Sequence, residues 1–255
     1  MITSLGKQSL LGIEITNSTS KEILEYIIDF LQSNKKPIYV VTPNPEIIVR
    51  ATKNKAFREI LNNAELALPD GVGVLLGGQI VGKPFQERVT GTDFIEAICK
   101  RVVNESKSDV RKPITMGFLG AGPNVALKAS ECLSKKYPGL RVAFAGEEWP
   151  TSQPSEPLDI LFVAFGVPKQ EEWMAEHVGN IPVRVMIGVG GALDYLSGRV
   201  PRAPKVLRSA GLEWLYRLIR EPWRAKRQLA LVEYIWLILE SKIRNSNIET
   251  RNNTK

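Results

Sequence analysis

Apolar residues along this chain change period repeatedly, from short continuous runs to helical spacing and back. Leu10–Thr16 is the first such run and reads as a strand. Thr19-Ser-Lys-Glu22 then has the makings of a capping box, and Ile23, Tyr26, Ile27, Phe30 and Leu31 recur on one helical face. Ile38–Thr42 is a second strand, followed by a helix from Pro45. Leu66–Leu68 is a short strand ending at Pro69-Asp70-Gly71, and a helix is expected over Asp93–Val103.

The second half repeats the alternation more strongly. Ile114–Leu119 is a strand, Gly120-Ala121-Gly122-Pro123 a turn and Asn124–Lys136 a helix. Leu140–Ala145 and Leu158–Phe165 are near-continuous apolar runs, the pattern of strands covered on both faces. Pro168–His177 reads as a helix and Val183–Val189 as a strand, and Gly190-Gly191 opens another helix. Strands alternating with helices predict parallel βαβ units, hence an α/β fold with a Rossmann-like parallel sheet flanked by helices. The pattern ends near residue 204. Residues 1–203 are expected to form the α/β core, and residues 204–255 a helical, basic, aromatic appendage carrying Trp214, Tyr216, Trp223, Tyr234 and Trp236.

Charge sharpens that boundary. The net charge is +7, and between Arg199 and Arg227 nine Lys/Arg face two acids, so the excess lies entirely in this segment. Such a segment expects a polyanion: phosphate groups, anionic lipid or nucleic acid. The balanced core and helical tail argue against a nucleic-acid binder. Met1–Asn17 lacks the apolar run of a signal peptide. Leu229–Leu239, broken by Glu233, is short of the roughly 20 apolar residues that span a bilayer. The chain is therefore expected neither to be exported nor to cross a membrane. Cys99 and Cys132 both fall in helical patterns and read as buried thiols of a reducing compartment. The single histidine, His177, has no Cys or His cluster with which to hold zinc.

Ligands of open α/β sheets bind beyond the carboxyl ends of the strands. Thr42-Pro-Asn44-Pro-Glu46, Asp70-Gly71-Val-Gly73, Gly120-Ala-Gly122, Gly166-Val-Pro168-Lys169-Gln170-Glu171 and Gly188-Val-Gly190-Gly191 all fall there. The Gly120 turn is either a nucleotide contact or a tight strand-to-helix turn; a full dinucleotide fingerprint would need glycine at Val125. Asp70 is either a proton acceptor facing the cleft or a helix N-cap, and Thr42 and Asn44 carry the same ambiguity. A Rossmann-type nucleotide-cofactor oxidoreductase is the alternative reading of such a core.

Taken together, these turns and Arg88-Val-Thr90-Gly91-Thr92-Asp93, Gly198-Arg199-Val-Pro-Arg202-Ala203-Pro204 and Gly211-Leu-Glu213-Trp214-Leu-Tyr216-Arg217 occur in an order that resembles the WecG/TagA/CpsF family of bacterial glycosyltransferases. The resemblance covers about residues 8 to 227. It implies an inverting transfer of a hexose derivative (N-acetylmannosamine, its uronic acid or glucose) from a UDP-sugar. The implied acceptor is an undecaprenyl-diphosphate-linked saccharide, in cell-surface polysaccharide or teichoic-acid synthesis. Carried over, Asp70 is the general base, and Thr42, Asn44, Arg88 and Gln170 contact substrate. No metal and no cofactor is expected, because no Asp-x-Asp motif is present to hold an ion against the leaving diphosphate. Arg217, Arg220 and Arg224 then bind the diphosphate, anionic lipid, or both. Such an enzyme would be cytoplasmic, peripheral on the inner face of the plasma membrane, with no nucleic-acid partner. Its apolar tail would favour an anionic membrane surface or homo-oligomers.

Overall fold

The computed structural model describes residues 4–106, 113–151, 154, 156–222 and 225–253. Six parallel strands form its central sheet: β3 (Ile38–Val41), β4 (Leu66–Ala67), β5 (Thr115–Gly120), β6 (Arg141–Gly146), β7 (Leu158–Ala164) and β8 (Val183–Gly188), in the spatial order β4-β3-β8-β7-β5-β6. Strands β7 and β8 sit centrally, and every residue of β7 except Asp159 is buried. That burial accounts for the unbroken apolar run in the sequence.

Helices cover both faces. On one lie α1 (Ser20–Leu31), α5 (Gly91–Ser106), α6 (Val125–Lys136) and α8 (Ala192–Leu196), packed around Phe94, Phe118, Phe162 and Leu193. On the other lie α2 (Pro45–Lys53), α3 (Lys55–Asn62), α4 (Val72–Ile80) and α7 (Lys169–His177), around Phe57, Leu161, Met174 and Met186. The Thr19–Glu22 capping box forms as expected: Thr19 Oγ1 accepts from the Glu22 N–H, and the Glu22 carboxylate accepts from the Thr19 N–H at 2.8 Å.

Three expectations are corrected and one helix is added. Leu10–Thr16 is not one strand but the end of a hairpin, β1 (Lys7–Leu10) with β2 (Ile13–Thr16), turning at Leu11 and Gly12. Both turn residues have positive φ (51° and 82°), the paired left-handed geometry of a two-residue hairpin turn. Strand β6 is a sheet edge and only half-buried, not covered on both faces. Helix α4 went unrecognised because Gly73, Gly77 and Gly78 weaken its helical signal. These glycines are packing residues: a Cβ at Gly73 would stand 2.6 Å from the Pro45 ring. Cys132 is exposed, whereas Cys99 is buried as expected.

The C-terminal segment forms α9 (Lys205–Ser209), α10 (Glu213–Arg220) and α11 (Ala225–Asn253), with α10 ending before Pro222. Helix α11 lies against α2 and α4, burying Tyr234 and Ile238 in the second core. A Cβ on Gly77 would collide with the Tyr234 hydroxyl. Gly77→Val is therefore expected to cost about 1–3 kcal/mol, the usual penalty for overfilling a packed contact. Thermal denaturation reads the loss, and limited proteolysis should cut α11 earlier in the variant than in the parent.

Candidate active site

Because the sheet is parallel, the carboxyl ends of its strands meet at one edge, and the loops there are tied to one another. The buried Thr42 hydroxyl donates to the Gly188 carbonyl at 2.9 Å, joining the end of β3 to the end of β8. The Asp70 N–H donates to the Pro43 carbonyl at 3.0 Å, and the Val89 N–H to the Pro69 carbonyl at 2.9 Å. Gln170, 1% exposed, accepts from the Gly190 N–H at 2.8 Å and donates to Glu171 at 2.9 Å. Three of the expected site residues, Thr42, Asp70 and Gln170, thus hold the edge together through side chain or backbone.

Asn44 proves to be the N-cap of α2, accepting from the Ile47 N–H at 3.1 Å. Asp70 is not a cap. The N-cap of α4 is Gly71, with φ 88° and no side-chain cap bond, which leaves the Asp70 carboxylate available to the edge. Burial, the largest influence, raises the Asp70 carboxyl from its ordinary 3.8 to about 7, helped by the nearby charges of Glu213 and Asp93. The Arg88 charge and the Gly71 N–H oppose that rise. Arg88 also donates to the Arg208 carbonyl at 2.9 Å, fastening α9 above the site.

Residues 199–221 form an arm across this edge. Gly211 packs on the first turn of α4, where a Cβ would lie 2.9 Å from Val72. Arg202 pairs with Asp93 at 2.7 Å and with Glu213 at 3.2 Å. Arg217 pairs with Asp194 at 2.9 Å and Glu221 at 2.6 Å, lies over the Tyr195 ring and presses on Gly191, which has no room for a Cβ. Arg217 is thereby brought to the strand ends together with Thr42, Asn44, Asp70, Arg88 and Gln170. Arg220 stays at the surface over the Tyr216 ring. Arg224 lies outside the described residues. Among the described residues, no three of His, Cys, Asp or Glu gather in a way that would hold a metal ion.

The paired acids Asp93, Asp194 and Glu213 were missed as site residues, although Asp93 and Glu213 stand in quoted motifs and Asp194 follows the Gly190-Gly191 turn by three residues. Their signal was the charge-bearing position beside a glycine or proline turn. A second feature was also missed. Strands β5 and β7 are neighbours, yet β5 leads through α6 to β6 while β7 leads through α7 on the other face to β8. This divergence opens a cleft of about 860 Å³ beside the Gly120-Ala121-Gly122 turn.

Three comparisons with known proteins bear on this edge. The model of the glycosyl transferase WecG/TagA/CpsF family matches residues 8–248. An N-acetylglucosaminyldiphosphoundecaprenol N-acetyl-beta-D-mannosaminyltransferase of Bacillus spizizenii is 33% identical over 83% of this chain and 82% of its own length. A Staphylococcus aureus protein of the same name is 28% identical over 94% of this chain and 95% of its own.

Glu171 gives the site a pH signature. It is fully buried, Oε2 has no hydrogen-bond partner among the described residues, and burial raises its carboxyl from 4.5 to about 7. The unfolded chain releases this proton near pH 4.5 while the fold retains it to about 7, so stability falls as pH rises through that window. Glu171→Gln removes the titration. The stability of the variant relative to the parent should increase by about 2 kcal/mol between pH 5 and pH 8, measured by urea denaturation at each pH.

Proposed function

Because the chain belongs to the WecG/TagA/CpsF family of glycosyl transferases, we propose that it moves an N-acetylmannosaminyl or closely related hexosyl group from a UDP-sugar to N-acetylglucosaminyl-diphosphoundecaprenol. The observation that carries this reading is the Asp70 carboxylate, uncapped and half-buried at the loop-bound strand edge, with a proton affinity near neutrality. A general base works best when its pKa lies near the operating pH. Asp70 takes the proton of the acceptor hydroxyl as that oxygen attacks the anomeric carbon from the side opposite UDP. The β-linkage in the relatives' names is what such inversion of an α-linked donor yields. The family membership displaces the oxidoreductase alternative.

The departing diphosphate needs positive charge, and Arg88, whose charge acts on Asp70, and Arg217, pressed on Gly191, supply it at this edge. Thr42 and Gln170 serve by holding the loops at the height where Asn44 and Asp70 meet the sugar. Asp70→Asn should lower kcat in a UDP-release assay by about 10²–10⁴-fold while leaving UDP binding near the parent value. In the parent, kcat/KM should rise with pH through about 7 as the base deprotonates, and EDTA should leave turnover unchanged. A parent-like rate for Asp70→Asn would remove Asp70 from the reaction.

A lipid-linked acceptor brings the enzyme to a bilayer, and the C-terminal helices suit one. Among the described residues no helix is long and apolar enough to cross a membrane. The outward faces of α9, α10 and α11 nevertheless expose Val206 (77%), Ile219 (70%), Val232 and Trp236, with Arg220 among them. Apolar side chains beside basic ones are the composition of a surface-lying anchor, here on the inner face of the plasma membrane. Ile219→Asp combined with Val232→Asp should reduce cosedimentation with vesicles containing anionic lipid by at least about 10-fold, since each change removes a buried apolar group and adds repulsion. Size-exclusion chromatography of the same variants reads the competing use of this face, contact with a second copy.

A further inference from the structure

Helix α7 begins with two polar side chains that solvent does not reach. Lys169 and Glu172 of its first turn are exposed, whereas Gln170 and Glu171 between them are buried. An acid at a helix N-terminus needs no burial to favour the dipole, and Glu172 already stands there in solvent. Burying a second carboxyl beside it costs free energy, the more so because Oε2 of Glu171 has no hydrogen-bond partner among the described residues. What that carboxyl does make is a bond to its neighbour: Oε1 accepts from the Gln170 Nε2 at 2.9 Å.

Gln170 in turn is held at both ends of its amide. Its Oε1 accepts from the Gly190 N–H at 2.8 Å, and its Nε2 lies so close over Gly188 that a Cβ there would stand 2.5 Å away. The two ends of an amide are not interchangeable: only the oxygen accepts from Gly190, and only the nitrogen donates to a carboxyl. Glu171 and Gly190 therefore demand the same orientation. Without Glu171 the buried nitrogen loses its acceptor, and the side chain relieves that by moving off the loop it secures. That loop carries the seat of Arg217. Gly191, one residue beyond the bond to Gln170, lies under the guanidinium with no room for a Cβ. Gly191 is also the N-cap of α8, which supplies Asp194, paired with Arg217 at 2.9 Å, and Tyr195, over whose ring Arg217 lies.

We infer that Glu171 is a positioning residue of the transfer: it fixes the Gln170 amide, which fixes the Gly188–Gly191 loop and with it the height at which Arg217 meets the donor diphosphate. The assignment rests on the role proposed for Arg217 above. Glu171→Met tests it, because methionine is a flexible filler of the same site and at most a weak acceptor. Calorimetric titration with UDP is run on the full-length parent, Glu171→Met, Arg217→Met and the double variant. Glu171→Met should lose about 10-fold in UDP affinity, the lower end for a hydrogen bond to a charged group. It should cost nothing further once Arg217 is methionine, because the guanidinium it positions is then gone. Glu171→Gln keeps an acceptor for the Gln170 nitrogen and should recover affinity to within about 2-fold of the parent. Should the methionine variant not fold, Glu171→Asp replaces it in the cycle, since it keeps the carboxyl but draws it out of reach of that nitrogen. Parent-like affinity in the variant, equal losses with and without Arg217, or a glutamine variant as weak as the methionine one would each overturn the assignment and leave the role of Arg217 intact. Parent-like affinity in Arg217→Met would bring down that role, and this assignment with it.

Discussion

The geometry of the candidate site depends on hydrogen bonds between loops more than on any single strand. A parallel sheet delivers its carboxyl ends to one edge, but it does not fix the loops that leave them. Here the Thr42 hydroxyl reaches the Gly188 carbonyl, the Asp70 N–H reaches Pro43, and Gln170 takes the Gly190 N–H. Two of these bonds use buried side chains, so breaking one leaves a polar group without water or partner, at a cost of about 1–3 kcal/mol. The edge therefore holds as a unit. Gly188 belongs to the same constraint, since a Cβ there would stand 2.5 Å from the Gln170 amide nitrogen.

How much of this the sequence disclosed depended on the range of the interaction. Local signals were read directly: the Thr19–Glu22 capping box and the strand ends at Thr42 and Asp70. Residues whose meaning comes from distant partners were not. Asn44 and Asp70 look alike as polar residues after short strands, yet one caps α2 and the other leaves that task to Gly71. Gln170 reads as the polar first turn of a helix until Gly190 is placed against it from 20 residues away.

Charge shows the same difference between a count and a structure. The segment from Arg199 to Arg227 carries the whole net charge, which suggests an open basic field. Folding consumes much of it. Arg202 and Arg208 turn to Asp93, Arg202 also to Glu213, and Arg217 to Asp194 and Glu221. These arginines hold the arm on the core, and their side chains are at most a quarter exposed. Coulomb attraction is stronger there than between exposed pairs, because less water screens it. Arg199 and Arg220 remain at the surface as the more accessible positive charge.

The arm that carries this charge also acts on Asp70. Burial is the largest influence on that carboxyl, Glu213 of the arm adds to it, and Arg88, which opposes it, is itself fastened to the arm at Arg208. Position of the arm and the proton affinity of Asp70 are thus linked through Glu213, which raises that affinity, and Arg88, which lowers it. The diphosphate proposed to bind Arg217 would enter that balance from a third side, because it would compete with Asp194 and Glu221 for the same guanidinium. Binding of the anion, position of the arm and charge on the proposed base are consequently coupled through contacts that all lie within one turn of the strand ends.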